Sequence, residues 1–177
     1  IIGVLSVTFV SAFGGGALRD VLLDRRPLFW VQHHEYIWLI LLLTVTAPLV
    51  LRARRHQLVD WIMEIADAAG LGLFAISGTS LAVVAGMPPI VSVLMGAITA
   101  VFGGVLRDVL CGEIPQAFRD HQPYAVCAMA GGCVDLVLRQ FPALPETAPM
   151  LACVVVTAGL RATAMWRQWR IPSWRVD

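Results

Sequence analysis

Two copies of one string decide the fold of this chain: Gly15-Gly16-Ala17-Leu18-Arg19-Asp20-Val21-Leu22 and Gly103-Gly104-Val105-Leu106-Arg107-Asp108-Val109-Leu110. The copies are identical at seven of eight positions, and the second follows the first at an offset of 88 residues. In each copy a glycine pair and an Arg-Asp dipeptide end a long apolar run. The chain is therefore predicted to be a duplicated unit whose function lies at the duplicated motif.

The composition is typical of an integral membrane protein. Apolar residues make up 58% of the 177 residues and charged residues 14%, whereas soluble domains carry about 25% charged residues. The formal net charge of +1 gives no basic footprint for nucleic acid, so no nucleic-acid partner is predicted. No catalytic dyad is visible and the four cysteines lack metal-ligand spacing, so we predict no enzyme, no cofactor and no metal site.

Six apolar segments are long enough, or nearly so, to cross a bilayer as helices, since a span takes about 17–25 residues. Residues 68–106 carry no charge and are too long for one span, and Gly86-Met87-Pro88-Pro89 divides them into two. The predicted spans are 1–23, 36–51, 65–85, 90–111, 123–138 and 148–166. Arginines concentrate after the second and fourth spans and in the C-terminal tail, which predicts a cytoplasmic C-terminus.

The duplication predicts one helix more than these six. The second motif is preceded by a span that contains Phe74-Ala75-Ile76-Ser77-Gly78, and its counterpart 88 residues earlier would lie before residue 1. We therefore expect an all-α integral membrane fold in one structural domain. Its parts are a first repeat over 1–59 without its first helix, a second repeat over 60–141, and an extra C-terminal helix with a tail over 142–177.

The two motif helices are predicted to run in opposite directions, because the chain crosses the membrane three times between them. This is an inverted repeat, related by a pseudo-two-fold axis in the membrane plane. The glycines would loosen both helices and kink them beside a permeation path, and alanine at Gly15 and Gly16 should then lower flux without blocking folding. The alternative is that the glycines only allow close helix packing. The glycines are Gly14, Gly15, Gly16, Gly103 and Gly104.

The charged positions of the motif, Arg19, Asp20, Arg107 and Asp108, are the candidate pore or gate charges. Charges at mid-depth in a membrane are costly and face the protein interior or an interface. Adjacent helix positions point about 100° apart, so we expect one member of each pair to line a cavity and the other to contact a neighbouring helix. The alternative is a pair of interfacial anchors, with the arginines reaching the headgroups.

Other charged residues fall into two groups. Asp60, Glu64 and Asp67 share a helix face and could form an acidic cation vestibule, although balancing the nearby Arg52, Arg54 and Arg55 is the preferred interpretation. Asp135 and Arg139 have the i, i+4 spacing of an ion pair on one helix, and we expect that pair to be structural.

The paired Gly-Gly-x-Leu-Arg-Asp helices, with Phe74-Ala75-Ile76-Ser77-Gly78 ahead of the second, resemble the prokaryotic trimeric intracellular cation (TRIC) channel family over essentially the whole chain. The resemblance implies seven helices in two inverted three-helix repeats plus one, and homotrimers in a bacterial or archaeal plasma membrane. It also implies a pore for potassium or other monovalent cations such as sodium within each protomer, beside the two glycine-kinked helices. Phe102 departs from the motif, because a third glycine could stand there.

Two further functions stay open at this point. Inverted repeats with broken helices are equally typical of secondary transporters, so the alternative is a transporter of a small solute such as glycine, with Asp20 or Asp108 as the coupling carboxylate. A structural or assembly role in the membrane, in contact with lipids, is the third. Passive conduction of potassium remains the leading hypothesis.

Overall fold

The computed structural model describes residues 2–52, 57–118, 123–167 and 169, and gives only the backbone for 47–52, 57–63 and 116. The described chain is all-helical. Its α-helices are α1 Ile2–Leu22, α2 Phe29–Gln32, α3 Glu35–Arg52, α4 Gln57–Val84, α5 Pro89–Leu110, α6 Tyr124–Leu138 and α7 Thr147–Trp166, with one 3-10 turn at Gln116–Phe118. All six predicted spans are present as helices, and the four-residue helix α2 is an addition that the apolar pattern did not predict.

Four of these helices are long and apolar enough to cross a membrane: Ile2–Leu22, Glu64–Val84, Pro89–Leu110 and Thr147–Trp166. Two further apolar helices are shorter, at Glu35–Thr46 and Tyr124–Leu138. Many large apolar side chains point outward, among them Val45 at 71% exposure and Val155 at 68%. An outward apolar surface of this kind is stable against lipid and unstable in water, so the chain is a membrane protein.

The turn between α4 and α5 forms where the uncharged run is interrupted. Gly86 has φ +74°, a backbone conformation that glycine adopts without strain. Pro88 precedes α5, and Pro89 occupies the first turn of that helix, where its missing N–H costs nothing. The predicted hairpin between two spans is therefore confirmed.

Helix α5 lies at the centre of the bundle and contacts α1, α4 and α6, while α7 packs on α4 and α6. The buried face of α5 consists largely of small residues, including Ser92, Gly96, Thr99 and Ala100. Small residues let helix backbones approach closely, which is the main source of helix association in lipid, where burial of apolar surface adds little. The core is therefore built by close backbone contact.

Both motif helices end in the same capping geometry, 88 residues apart. After α1, the Arg25 N–H donates to the Asp20 carbonyl (2.8 Å) and Asp24 has φ +50°. After α5, the Glu113 N–H donates to the Asp108 carbonyl (2.9 Å) and Gly112 has φ +71°. This is the Schellman pattern, in which a left-handed residue turns the chain and satisfies the last carbonyls. The structural duplication thus extends beyond the repeated string.

The orientation of the chain in the membrane stays a prediction. Most of the arginines on which it depends have side chains outside the part that the structure describes: Arg52, Arg54, Arg55, Arg119, Arg170 and Arg175. The side chain of Asp60 lies outside it as well, so the predicted acidic face can be followed only at Glu64 and Asp67.

Candidate functional site

The two motif helices contact each other through their glycines. A Cβ atom at Gly15 would overlap the carbonyl oxygen of Thr99, and one at Gly103 would lie 2.5 Å from the carbonyl oxygen of Ser11. Thr99 follows Ser11 by the same 88 residues that separate the glycines. Each glycine therefore accepts the backbone of the other helix at the equivalent position. Such reciprocal contacts are typical of two equivalent surfaces that are related by an approximate two-fold axis.

The remaining glycines of the motif have different surroundings. A Cβ atom at Gly14 would lie 2.9 Å from Cδ1 of Leu106, a flexible side chain. At Gly16 it would meet only Nη2 of Arg19 at 3.8 Å, and at Gly104 only Nη2 of Arg107 at 3.9 Å. The structure therefore separates glycines at the α1–α5 contact from glycines that are free to face a cavity.

Both motif helices run through their glycines without interruption, as α1 Ile2–Leu22 and α5 Pro89–Leu110. The helices are therefore not interrupted at the glycines, and the kink expected there stays a prediction. Each interior glycine costs about 1 kcal/mol of intrinsic helix stability relative to alanine, but the close packing of the two backbones holds the helices in place. At Gly15 and Gly103 the packing alternative describes the structure better.

The first charge pair is buried, and its two side chains bond to each other. Arg19 is 3% exposed and Asp20 is 2% exposed. Nε and Nη2 of Arg19 both donate to Oδ1 of Asp20, at 2.9 and 2.7 Å, and the Phe29 N–H donates to Oδ2 at 2.7 Å. Nη1 of Arg19 donates to Oγ of Ser77 on α4 at 2.9 Å. The pair thus ties α1 to α4 and to the start of α2.

This geometry corrects two expectations. The neighbours Arg19 and Asp20 were predicted to point apart because their Cβ atoms lie about 100° apart on the helix. The arginine side chain is long enough to fold back across that angle, and the two form a salt bridge of 2.7 Å. A headgroup anchor would be exposed, so the burial of Arg19 also excludes the anchor interpretation for this copy.

The second charge pair repeats the first with greater exposure. Nε of Arg107 donates to Oδ1 of Asp108 at 2.8 Å. The side chain of Arg107 is 39% exposed and that of Asp108 is 11% exposed, against 4% and 3% for the first pair. The second pair is therefore the one that a solvated ion could reach.

A cavity of about 220 Å³, here called the central cavity, opens between α1, α4 and α5. Six of the nine predicted site residues line it: Gly15, Gly16, Gly103, Gly104, Arg107 and Asp108. Gly14, Arg19 and Asp20 are not among the residues that line it. Gly15 and Gly103 therefore both line the cavity and hold α1 against α5, whereas Arg19 and Asp20 join helices away from the lining.

The central cavity also brings in residues that the motif did not indicate. Asp67 of α4 and Tyr124 of α6 line it, and the Tyr124 hydroxyl donates to Oδ1 of Asp67 at 3.1 Å. Nε of Arg161 on α7 lies 3.8 Å from Oδ2 of Asp67, and its guanidinium lies 4.6 Å from the Tyr124 ring centroid. No local pattern could have found these partners, since Tyr124 and Arg161 are distant from Asp67 in sequence.

The predicted pair of Asp135 and Arg139 is confirmed. Nε of Arg139 donates to Oδ2 of Asp135 at 2.8 Å, and Asp135 is fully buried. Nη2 of Arg139 also donates to Oγ of Ser80 on α4 at 2.7 Å. The pair joins α6 to α4 and lies apart from the residues that line the central cavity.

Comparison with known proteins gives both a family and relatives. A family model described as "Glycine transporter" matches residues 1–52 and 64–140. The chain is 36% identical over 176 residues to the UPF0126 inner membrane protein YadS of Escherichia coli (strain K12), covering 99% of this chain and 84% of that protein. It is 34% identical over 136 residues to the UPF0126 membrane protein YvgT of Bacillus subtilis (strain 168), covering 76% of this chain and 65% of that protein.

Solved structures of similar fold are cation channels. One, described under "Structural basis for conductance through TRIC cation channels", matches with a TM-score of 0.84 and 32% identity, over 96% of this chain and 81% of that one. Another is the TRIC trimeric intracellular cation channel orthologue from Rhodobacter sphaeroides, with a TM-score of 0.79, 30% identity and 94% of both chains covered.

Proposed function

This chain belongs to the family that the glycine-transporter model describes and that includes the TRIC cation channels, and from that membership we propose that it is a passive channel for monovalent cations, chiefly potassium. The observation that carries the proposal is the central cavity of about 220 Å³ between the two motif helices. A space of about 10–15 Å³ on this measure holds one water, so the cavity has room for several waters between the helices.

The lining of the cavity has the chemistry that a passing cation needs. Gly16 and Gly104 present no side chain, so backbone polar groups and water can approach an ion there. Irregular or polar surfaces inside a membrane are stable where they line a water-filled cavity. We assign Gly15 and Gly103 to the contact that holds α1 and α5, which line the cavity, against each other.

The charged residues take different roles in this proposal. Arg107 and Asp108 line the central cavity as an ion pair and act as gate charges, because breaking the pair changes the field along the path. Arg19 and Asp20 are buried and fix α1 against α4. Arg107 alone would repel a cation, and its bond to Asp108 offsets that repulsion.

We also propose an arrangement of repeats. Two inverted repeats, 1–59 and 60–141, are followed by an extra C-terminal helix with a tail, 142–177. The reciprocal contacts of Gly15 and Gly103 support the inverted relation. The C-terminus is cytoplasmic, and the protein is embedded among lipids in a bacterial or archaeal plasma membrane.

A homotrimer is the expected assembly, because the similar channel from Rhodobacter sphaeroides is described as trimeric. Light scattering of the detergent-solubilised protein, corrected for bound detergent, should give three times the protomer mass. Crosslinking in native membranes should yield a ladder that ends at three. A mass of one or two protomers by both methods would contradict this assembly.

Recording from purified protein in planar bilayers tests the proposed activity. We expect discrete unitary currents in symmetrical KCl and a reversal potential in a KCl gradient that lies close to the potassium equilibrium value. Protein-free vesicles prepared in parallel serve as the control. Absence of unitary currents from trimeric, folded protein would refute the channel.

A secondary transporter of a small solute such as glycine is the second candidate, and the description of the matching family favours it. Asp108 would then be the coupling carboxylate, because it lines the central cavity and Asp20 does not. Saturable uptake of labelled glycine into proteoliposomes, without unitary currents, would support the transporter. Currents without uptake would support the channel.

A further inference from the structure

We propose that Asp67 determines the cation selectivity of the central cavity and that Tyr124 positions its carboxylate; this inference rests on the proposed channel function. Both residues line the cavity, and they belong to different helices, α4 and α6. Neither belongs to the duplicated motif.

The charge of the lining favours Asp67. Among the described residues, its charged side chains are Asp67, Arg107 and Asp108. Arg107 and Asp108 form an ion pair of 2.8 Å, and each offsets the charge of the other within the lining. The cationic partner of Asp67, Arg161, is not among the lining residues, so the carboxylate of Asp67 is the charge of that pair that faces the cavity. A negative potential in a cleft with low-dielectric walls concentrates cations and repels anions.

The exposure of Asp67 agrees with this role. Its side chain is 46% exposed, compared with 11% for Asp108, so a hydrated ion can approach it directly. Arg161 is 8% exposed and does not line the cavity, and its Nε lies 3.8 Å from the carboxylate. That distance is longer than the 2.7–2.9 Å typical of a charge-assisted hydrogen bond. Arg161 thus pairs with the carboxylate of Asp67 from outside the cavity lining, while the carboxylate itself lines the cavity.

Tyr124 gives the carboxylate its direction. Its hydroxyl donates to Oδ1 of Asp67 at 3.1 Å, and its ring lies under the Arg161 guanidinium at 4.6 Å. A carboxylate has about four lone-pair sites, so this bond leaves acceptor capacity for an ion or its water. Tyr124→Phe would remove the bond and keep the ring against Arg161.

The experiment measures unitary conductance and the permeability ratio of potassium to chloride in planar bilayers. We expect Asp67→Asn to lower both by about threefold to tenfold at 0.1 M KCl, because one charge a few ångströms from the path changes the local cation concentration by that factor. The difference should shrink at 1 M KCl, where the Debye length falls from about 10 to about 3 Å. Asp67→Glu should restore most of the selectivity.

Glu64→Gln is the matched control. It removes the same charge from the same helix, one turn earlier, at an exposed position that does not line the central cavity. We expect conductance and selectivity like those of the wild-type protein. Tyr124→Phe should lower the permeability ratio by about half the factor measured for Asp67→Asn. The yield of trimer should stay unchanged. A wild-type ratio in Tyr124→Phe would remove the positioning role.

Cysteine modification keeps the test valid if Asp67→Asn folds poorly. Asp67→Cys is introduced with Cys111→Ser and Cys133→Ser, since those two cysteines are exposed and Cys127 and Cys153 are buried. A negatively charged thiosulfonate applied to the open channel should raise the potassium-to-chloride ratio. A positively charged one should lower it on the same folded molecules. Equal responses to both reagents would overturn the proposal.

The outcomes separate this inference from the function on which it rests. If the folded wild-type trimer carries no unitary current, the channel fails and Asp67 has no selectivity to determine. If the wild-type trimer conducts and Asp67→Asn or the modified cysteine keeps its selectivity at 0.1 M KCl, the channel stands and the role of Asp67 is refuted.

Discussion

Gly15→Ala should disrupt the contact between α1 and α5 and lower the melting temperature by about 2–12 °C. The added Cβ would overlap the Thr99 carbonyl oxygen, a backbone atom that cannot move without its helix. Overpacking of a tight contact costs about 1–3 kcal/mol, and each kcal/mol corresponds to roughly 2–4 °C in a chain of this size. Gly103→Ala should act in the same way through Ser11, and both are measured by thermal unfolding followed by size-exclusion chromatography.

Gly16→Ala and Gly104→Ala are the controls for that prediction. At these positions the new methyl group would lie 3.8 and 3.9 Å from the nearest arginine nitrogen, an ordinary contact distance. We expect a stability that equals that of the wild type or exceeds it by up to about 1 kcal/mol, since alanine favours a helix interior over glycine. Because the methyl groups enter the central cavity, we also expect a reduced conductance. We therefore keep the expectation that alanine lowers flux without blocking folding for Gly16, and for Gly15 we expect a loss of stability instead. Equal melting temperatures for Gly15→Ala and Gly16→Ala would contradict the packing role.

Asp20→Ala should prevent the protein from accumulating as a folded trimer. Arg19 would keep its hydrogen bond to Ser77 but lose both bonds to the carboxylate, and the Phe29 N–H would lose its acceptor. Removing one partner of a buried ion pair costs about 3–5 kcal/mol, because a buried charge is left uncompensated. Fluorescence-detected size-exclusion chromatography and the melting temperature measure the loss.

Two comparisons separate this effect from general damage. Arg19→Met combined with Asp20→Ala removes both charges and should recover part of the stability lost in Asp20→Ala alone. Asp108→Ala should be milder than Asp20→Ala, since its partner Arg107 is 39% exposed and can be hydrated. A melting temperature for Asp20→Ala within about 2 °C of the wild type, less than 1 kcal/mol by the same conversion, would refute the structural role.

Much of the fold could be predicted from local patterns. The spans follow from the lengths of the apolar runs, and the hairpin at Gly86 follows from its glycine and prolines. The predicted antiparallel course of the motif helices likewise comes from counting crossings between the two copies. These features depend on the bilayer thickness and on chain connectivity, both of which act on each segment independently of its neighbours.

The site was harder to predict because its properties depend on tertiary neighbours. Gly15 and Gly16 are adjacent and identical in type, and only the position of Thr99 separates their roles. The bond between Arg19 and Asp20 depends on side-chain length, which a helical wheel ignores. Asp67 was assigned to a local balance with nearby arginines, whereas its described partners, Tyr124 and Arg161, lie on α6 and α7.

The reciprocal glycine contact has a consequence for ancestry. A surface that fits a copy of itself does not require both copies in one polypeptide, so two half-length chains inserted in opposite directions could make the same contact. Joining them in one chain fixes their ratio and orientation at synthesis. It also frees each half to change alone, and Phe102, which stands 88 residues after Gly14, is one such divergence.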